Sequence, residues 1–257
     1  MKGITGTLYG IRYWLALPSG FFFGIIFGMH LARQYEGSIP VLYAEDKTQP
    51  LDISISFATE TEGRDQLWTK TKFGLHHALE RYSDYDFFLK ADDDTYTIVE
   101  NLRYLLKDHD PEVPIIMGRR WRPHVKQGYP SGGGGYVLSR SALKLIVAGL
   151  DKNPACNGNV SGGAEDVRIG ACAQEVGVKL VDSLDDKGLE RFHPFSAIGM
   201  INHVNEDHPK WYGAYNYHKV LTGYRCCSSL SVTFHYVSPE DMNLYEFFLY
   251  RLRPAVL

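Results

Sequence analysis

The chain lacks a strong net charge. Its 27 lysine and arginine residues nearly balance 30 aspartate and glutamate residues, so the formal net charge over 257 residues is −3. Proteins that grip the phosphate backbone of nucleic acids usually carry a basic surface, and the balance here gives no sign of a nucleic-acid partner. The hydrophobic fraction of 44% is ordinary for a globular protein. The length suits one substantial domain with an appendage.

Cysteine is scarce as well. There are four cysteines and no C-x-x-C pair, which argues against a structural zinc site. An even number fits an oxidising compartment, and the glycosylation sequon Asn159-Val160-Ser161 points the same way. Cys156 and Cys172 are candidates for a disulfide. For the adjacent Cys226 and Cys227, bonding to each other, bonding elsewhere and remaining reduced all stay open.

One stretch has no charged residue at all. Residues 13–32, YWLALPSGFFFGIIFGMHLA, contain no Asp, Glu, Lys or Arg, and about 20 residues is the length that a helix needs to cross a bilayer. Lys2 and Arg12 favour a cytoplasmic N-terminus. We therefore predict an uncleaved signal anchor, rather than a cleaved signal peptide or a buried helix. Residues 1–12 would form a cytoplasmic tail, 33–50 a short stem and 51–257 a lumenal domain.

Strand and helix patterns alternate after residue 50. Alternating polarity predicts a strand at residues 51–58, and apolar periodicity predicts a helix that starts at the N-cap Ser139. Further predicted strands are 85–91, 113–117 and 229–237, and further predicted helices are 61–82, 98–107, 167–176 and 239–253. Such alternation indicates an α/β layer fold.

A triplet of carboxylates ends one of these strands. Two residues separate the apolar run FFL from Asp92, Asp93 and Asp94. Because strand side chains alternate, Asp92 and Asp94 are expected on one side. Close carboxylates repel each other, and a divalent cation such as Mg²⁺ or Mn²⁺ removes that cost. Ligands in open α/β sheets bind beyond the carboxyl ends of strands. The alternative is a solvated acidic turn that caps the next helix.

Four further features are ambiguous by themselves. The loop 118–127, GRRWRPHVKQ, faces either a polar or phosphate-bearing substrate or plain solvent. The glycines of residues 131–135 allow a close backbone approach, although their spacing is not that of a phosphate loop. Glu165 and Asp166 open a helix, where a carboxylate is usually a cap. His235, near the end of a strand, is either a structural histidine or a ligand.

Taken together, several long segments resemble a known family. FLKADDDTY, EGRDQLWTKT, GRRWRPHVKQGYPSGGGGYVLS, ERFHPF and CCSSLSVTFHYV occur in the same order as in the core 1 β1,3-galactosyltransferases, of glycosyltransferase family 31. The resemblance runs from about residue 51 to 254. It implies a GT-A fold, in which a Rossmann-like mixed sheet is flanked by helices. It also implies transfer of galactose from UDP-galactose to O3 of GalNAc α-linked to Ser or Thr, forming the core 1 O-glycan.

The same resemblance implies a setting for the enzyme. The expected cofactor is Mn²⁺, and the expected location is the Golgi membrane, as a single-pass type II protein with a lumenal catalytic domain. The acceptor would be a glycoprotein, and a homodimer is a further expectation. The signal anchor and the sequon, which come from the residues themselves, agree with this location.

The resemblance also assigns a metal site and a base. Asp92, Asp94 and His235 match the metal ligands. Asp166 occupies the position of the catalytic base, with Glu165 as the second candidate. Because Asp166 opens a helix, its pKa is expected to be lowered.

Donor and acceptor contacts follow from the same comparison. Asp92 and Asp93 fall on the donor side, where the resemblance also places Gly133, Gly134 and Tyr136. Trp211, Tyr212 and Tyr217 fall in the aromatic region on the acceptor side.

The resemblance leaves a gap near the N-terminus. The family has a stem, a strand and a helix ahead of the part that matches residue 51, whereas only residues 33–50 separate the predicted anchor from that part. The sheet is therefore expected to lack its first strand–helix unit, with an exposed edge and an incomplete uridine side. Three functions follow from these patterns: an active galactosyltransferase, a non-catalytic relative that serves as a chaperone or partner, and a fringe-like GlcNAc transferase.

Overall fold

A computed structural model describes residues 24–29, 52–55, 64–202 and 210–253. Eleven strands lie in these ranges: β1 Gly24–Met29, β2 Asp52–Ile55, β3 Phe87–Asp92, β4 Tyr96–Thr97, β5 Ile115–Gly118, β6 Arg120–Trp121, β7 Tyr129–Pro130, β8 Tyr136–Ser139, β9 Lys179–Val181, β10 Phe192–His193 and β11 Thr233–Phe234. The largest sheet has the order β2-β1-β3-β8-β5-β9. Within it β5 and β9 are parallel and the other neighbours are antiparallel.

Seven α-helices accompany these strands in the described residues: α1 Leu67–Arg81, α2 Val99–Leu106, α3 Arg140–Lys152, α4 Glu165–Glu175, α5 Ala197–Asn202, α6 Lys210–Tyr215 and α7 Pro239–Tyr250. A short 3-10 turn, Arg64–Gln66, precedes α1. Ser139 caps α3 as predicted, because its Oγ accepts the N–H of Ala142 at 3.1 Å. The helices predicted at 98–107, 167–176 and 239–253 are confirmed within a few residues at each end. The helix predicted at 61–82 is confirmed from Leu67 to Arg81, and residues 61–63 lie outside the described ranges.

The core forms two layers, one on each face of the main sheet. In β3, Phe88 packs in one layer and Phe87 and Leu89 pack in the other, as the period of two requires. The first layer is completed by apolar residues of α1, α3 and α4, and the second by α2 and by Phe192 and Val232. This mixed sheet covered on both faces agrees with the predicted α/β layer fold.

A small sheet connects the acidic triplet to the C-terminal part of the chain. Its strand order is β10-β11-β4, with β10 and β11 parallel. In addition, the N–H of Val237 donates to the carbonyl oxygen of Asp94 at 3.0 Å. The residues after β3 and the residues after β11 are therefore held side by side, although more than a hundred residues separate them in sequence.

The predicted membrane segment includes six residues that form a strand in the structure. Gly24–Met29 form strand β1, which pairs with β2 and β3 on its two sides. A short apolar run with β-branched residues fits a strand as well as a helix, and pairing on both sides satisfies its backbone hydrogen bonds. The other residues of 13–32 lie outside the described ranges. No helix in the described part of the chain is long and apolar enough to span a bilayer.

Strand β1 also changes the expectation of a missing strand. It lies between β2 and β3, so β3 is not at the edge of the sheet. No helix precedes α1 among the described residues, and the connection between β1 and β2 lies outside them.

The strand predicted at residues 229–237 is mostly wrong. Only Thr233–Phe234 are in β11, because Ser231 turns back to donate its N–H to the Ser228 carbonyl, and Tyr236 has a positive φ of 55°.

Both cysteine pairs form disulfides. Cys156 bonds Cys172, as predicted, and Cys226 bonds Cys227, one of the arrangements left open.

Candidate active site

Two aspartates and a histidine converge at the carboxyl end of β3. Asp92, Asp94 and His235 each offer one ligand atom, and these atoms lie within 4.8 Å of one another. His235 Nε2 is 3.1 Å from Asp94 Oδ1 and 3.7 Å from Asp92 Oδ2. Carboxylate oxygens with one imidazole nitrogen fit a divalent first-row cation. Because both carboxylates remain partly exposed, such a cation would keep positions open for other ligands.

The His235 imidazole is held from two sides. Its Nδ1 is 3.3 Å from the Pro194 carbonyl oxygen, so an Nδ1–H can donate there while Nε2 faces the carboxylates. On its other side lies Gly133, where an added Cβ would be 2.1 Å from the imidazole Cε1. The Gly133 carbonyl in turn accepts from Thr95 Oγ1 at 2.8 Å. The glycine run therefore makes room for the histidine.

His235 lowers the pKa of Asp94. Partial burial by itself would raise the pKa of Asp94, but the hydrogen bond and the charge of His235 outweigh burial and lower it. Asp94 is therefore ionised at neutral pH, as a metal ligand must be. Asp93, which the sequence analysis placed on the donor side, is exposed and does not belong to this cluster.

Of the two acidic residues that open α4, only Asp166 lines the cleft beside His235. Its carboxylate accepts the N–H of Val167 at 2.9 Å and faces the N–H of Gly132 at 3.5 Å. Glu165 is only 5% exposed, and its Oε1 accepts the Tyr136 hydroxyl at 2.6 Å. A substrate in the cleft would therefore meet Asp166 and not Glu165.

The pKa of Asp166 is raised, which corrects the expectation from the helix start. Burial is the largest cause, and it outweighs the hydrogen bonds from Val167 and Gly132 and the attraction of Lys90. A helix N-terminus favours the carboxylate by a modest amount, which desolvation exceeds here. A carboxylate with a raised pKa is the stronger base toward a substrate hydroxyl.

Sequence reasoning missed Lys90. This buried lysine donates from Nζ to Asp92 Oδ1 at 2.5 Å and to the Gly132 carbonyl at 3.2 Å, and it lies 3.9 Å from Glu165 Oε2. Burial alone would lower the pKa of Lys90, but the carboxylates of Asp92 and Glu165 raise it, so the amine stays charged. The available signal was a lysine inside an apolar strand, two residues before Asp92 and hence on the same face.

The cleft beside His235 has a volume of about 560 Å³, within the range of small-molecule sites. Its walls combine Asp166 and His235 with a set of ring side chains: Trp121, His124, Tyr129, Phe195, Trp211, Tyr215 and Tyr236. His124 (φ 70°) and Tyr236 (φ 55°) have left-handed backbones, which are costly for residues other than glycine and cluster at functional sites.

Of the three residues predicted near the sugar donor, one lines the cleft and two are buried behind it. Gly133 lines the cleft. Gly134 is buried, donating its N–H to Ser131 Oγ and accepting from Thr233 Oγ1. Tyr136 is fully buried, and its hydroxyl donates a hydrogen bond to Glu165. Both therefore support the site from behind, Gly134 from the turn before β8 and Tyr136 from β8, which runs through the centre of the sheet.

Of the three residues predicted near the acceptor, only one lines the cleft. Trp211 lines the cleft and is 43% exposed. Tyr212, one position on, is buried, and its hydroxyl accepts from Arg119 Nη2 at 2.6 Å. Tyr217 lies outside the cleft lining, with the Arg120 guanidinium 3.6 Å from its ring centre. Successive residues of one aromatic run thus point in different directions.

Part of the remaining aromatic wall comes from two segments that the sequence analysis noted without naming residues for the site. The loop 118–127 supplies Trp121 and His124, and the segment ERFHPF supplies Phe195. The sequence shows that these segments contain aromatic residues, but only the fold shows which rings face the cleft.

Comparisons with known proteins identify the family of this chain. Residues 45–220 match the family model described as Fringe-like. Glycoprotein-N-acetylgalactosamine 3-beta-galactosyltransferase 1 of Xenopus laevis is 44% identical over 194 residues, which are 75% of this chain and 53% of the relative. A beta-1,3-glucosyltransferase of Mus musculus is 27% identical over 55% of this chain and 28% of its own length. The Homo sapiens protein of the same name is 30% identical over 44% of this chain and 23% of its own length.

This chain thus spans about half the length of the Xenopus relative, and less of the other two. The family match covers residues from before β2 to beyond α6, including Asp92, Asp94 and Asp166. The chain belongs to the Fringe-like family of glycosyltransferases.

Proposed function

We propose that the chain transfers galactose from UDP-galactose to O3 of GalNAc α-linked to Ser or Thr, with inversion at the transferred carbon. The observation that carries this proposal is that His235 of the metal cluster and the ionisable Asp166 line one cleft with aromatic walls. The 44% identity to a GalNAc 3-β-galactosyltransferase supports the choice of donor and acceptor.

The residues around His235 form the proposed cation site. Asp92, Asp94 and His235 would hold a divalent cation, which we propose to be Mn²⁺. When bound, such a cation supplies a Lewis acid that neutralises a leaving diphosphate. Gly133 and Pro194 keep the His235 ring oriented for this role, and Lys90 keeps the Asp92 carboxylate in place.

Asp166 takes the proton of the acceptor hydroxyl. As the GalNAc O3 forms a bond to C1 of galactose, the bond from C1 to the UDP oxygen breaks on the opposite side, which inverts the configuration at C1. The ring side chains that line the cleft, Trp211 among them, offer flat apolar faces to the sugars. Exclusion of water by these rings favours transfer to the sugar hydroxyl over hydrolysis.

We also propose the setting expected from the family: the lumen of the Golgi, as a type II membrane protein, with a homodimer as the assembly. The two disulfides support an oxidising compartment. Because Gly24–Met29 belong to the sheet, a membrane anchor would have to leave these residues free for strand pairing. Carbonate extraction of membranes tests the anchor, and sedimentation of the purified chain tests the homodimer.

The first experiment is UDP binding to the purified full chain by calorimetry, with and without Mn²⁺. Binding should need Mn²⁺ and should be lost in Asp94→Ala. A transfer assay with a GalNAc-peptide acceptor then compares UDP-galactose, UDP-glucose and UDP-GlcNAc as donors. Galactose should be preferred, and Asp166→Asn should lower the rate of transfer by about a hundredfold or more while retaining UDP binding.

Each failure has a distinct meaning. A folded chain that binds no UDP at any Mn²⁺ concentration would contradict the transferase proposal and favour a non-catalytic partner. Preference for glucose or GlcNAc would retain the reaction and change the donor.

A further inference from the structure

We propose that Asn159 carries an N-linked oligosaccharide. Asn159-Val160-Ser161 is the only N-x-S/T sequence in the chain, and the side chains of Asn159 and Ser161 are both exposed. The inference rests on the lumenal location given under the proposed function, but it concerns a surface that the transfer reaction does not use.

The turn around Asn159 is fixed to the body of the protein through its backbone. The N–H of Val160 donates to the Asn157 carbonyl, which also accepts from Trp68 Nε1 at 3.1 Å. Lys72 Nζ donates to the carbonyls of Gly158 and Val160 at 2.6 and 2.8 Å. Helix α1 thus binds the carbonyl oxygens of the turn, and the side chain of Asn159 remains exposed.

The base of the turn is anchored as well. A Cβ on Gly158 would lie 1.9 Å from the Leu150 carbonyl oxygen at the end of α3, so the backbone there is in close contact with the helix. The Cys156–Cys172 disulfide joins the start of this segment to α4. The sequon therefore occupies a fixed and accessible position.

The cleft is not lined by the turn that carries Asn159. Its lining includes Ala164 and Asp166 but no residue of 157–163. An oligosaccharide on Asn159 would therefore leave the cleft open to donor and acceptor.

The modification needs a co-reactant from the host cell, an oligosaccharide linked to a polyprenyl diphosphate. The side-chain amide nitrogen of Asn159 bonds to C1 of the first sugar and loses a proton to a base of the host transferase. The bond from that C1 to the diphosphate oxygen breaks, and the polyprenyl diphosphate leaves with the electron pair. Ser161 supplies the hydroxyl that such sequons require at the third position.

The test is expression of the full chain in a eukaryotic cell, followed by peptide-N-glycosidase treatment in heavy-oxygen water and mass spectrometry. We expect Asn159 to be converted to Asp with the heavy label. Asn159→Gln and Ser161→Ala should lose the glycan, while Ser161→Thr should keep it. Asn157→Gln, outside the sequon, is the matched control and should remain glycosylated.

Recovery of a chain with both disulfides intact and no glycan on Asn159 would overturn the inference. Galactose transfer, measured on the same samples, separates the two proposals. A glycosylated chain without transfer contradicts only the proposed function, and an active chain without the glycan contradicts only this inference. We expect Asn159→Gln to keep the transfer activity of the native chain.

Discussion

Lys90 and Asp92 form a hydrogen-bonded ion pair on one face of β3, with 2.5 Å between Nζ and Oδ1. The same amine reaches the carbonyl of Gly132 and lies near Glu165 at the start of α4. One buried cation thus joins the strand that carries the acidic triplet to the helix that carries Asp166. Lys90 therefore contacts both halves of the site.

Replacing this cation should disturb both halves. Lys90→Met keeps the length of the side chain but leaves Asp92 and the buried Glu165 without a cation, which should lower the free energy of unfolding by about 3 kcal/mol. Lys90→Arg, which retains the charge, should recover part of the loss. Urea unfolding measures the stability, and Mn²⁺ titration of UDP binding measures the site. Equal stability and Mn²⁺ affinity in Lys90→Met and the native chain would contradict this role.

The acidic triplet offers an internal control for metal binding. Asp94→Asn removes the negative charge of one ligand and His235→Ala removes a ligand atom of the cluster, so Mn²⁺ affinity should fall by about a hundredfold in each. Asp93→Asn changes an exposed residue outside the cluster and should leave the affinity nearly unchanged. Calorimetric titration with Mn²⁺ in the presence of UDP distinguishes them. A loss in Asp93→Asn as large as in Asp94→Asn would show that the cluster is assigned wrongly.

The glycine run makes a second prediction about His235. Gly133→Ala places a Cβ where the imidazole lies, 2.1 Å from Cε1, so the ring must move and Mn²⁺ affinity should fall nearly as far as in His235→Ala. Gly213→Ala, in α6, is the control because its Cβ meets nothing within 4 Å. This control should gain up to about 1 kcal/mol of stability from helix propensity. Unchanged Mn²⁺ binding in Gly133→Ala would mean that the histidine does not need this space.

The raised pKa of Asp166 predicts where activity is lost in acid. The base must be ionised, and a raised pKa means that its carboxyl keeps its proton to a higher pH than an ordinary aspartate, near 3.9. The acid limb of kcat/KM for transfer should therefore lie above that value, with activity rising as pH increases through the limb.

Two substitutions assign that limb. Asp166→Asn should lower kcat by about a hundredfold or more, whereas Glu165→Gln should keep the limb because Glu165 does not line the cleft. Loss of the limb in Glu165→Gln, with activity retained in Asp166→Asn, would exchange the two roles.

The two disulfides should differ in what they contribute to stability. Cys156 and Cys172 are 16 residues apart, so replacing both by Ser should cost about 3 kcal/mol through the entropy of the unfolded chain. Cys226 and Cys227 are adjacent, and their bond closes almost no loop. The matched double Ser variant there should cost much less, as urea midpoints would show. Equal losses would contradict this explanation.

Local patterns in the sequence determined most of the helices and their order. Patterns within a few residues were enough to predict the N-cap at Ser139, the helices α1 and α3, and the strand that ends in the acidic triplet. Helix periodicity and capping depend only on residues that are close in sequence. The resemblance to a known family also selected Asp92, Asp94, His235 and Asp166. The structure brings the first three together and places Asp166 beside His235.

The tertiary structure decided what the local patterns left open. Gly24–Met29 read as part of a membrane helix, yet strands on both sides satisfy their backbone hydrogen bonds. The pKa of Asp166 depends on burial, which a helix start does not reveal. Trp211 and Tyr212 are neighbours in sequence, but only the first faces the cleft, because long-range packing and not periodicity sets the direction of each ring.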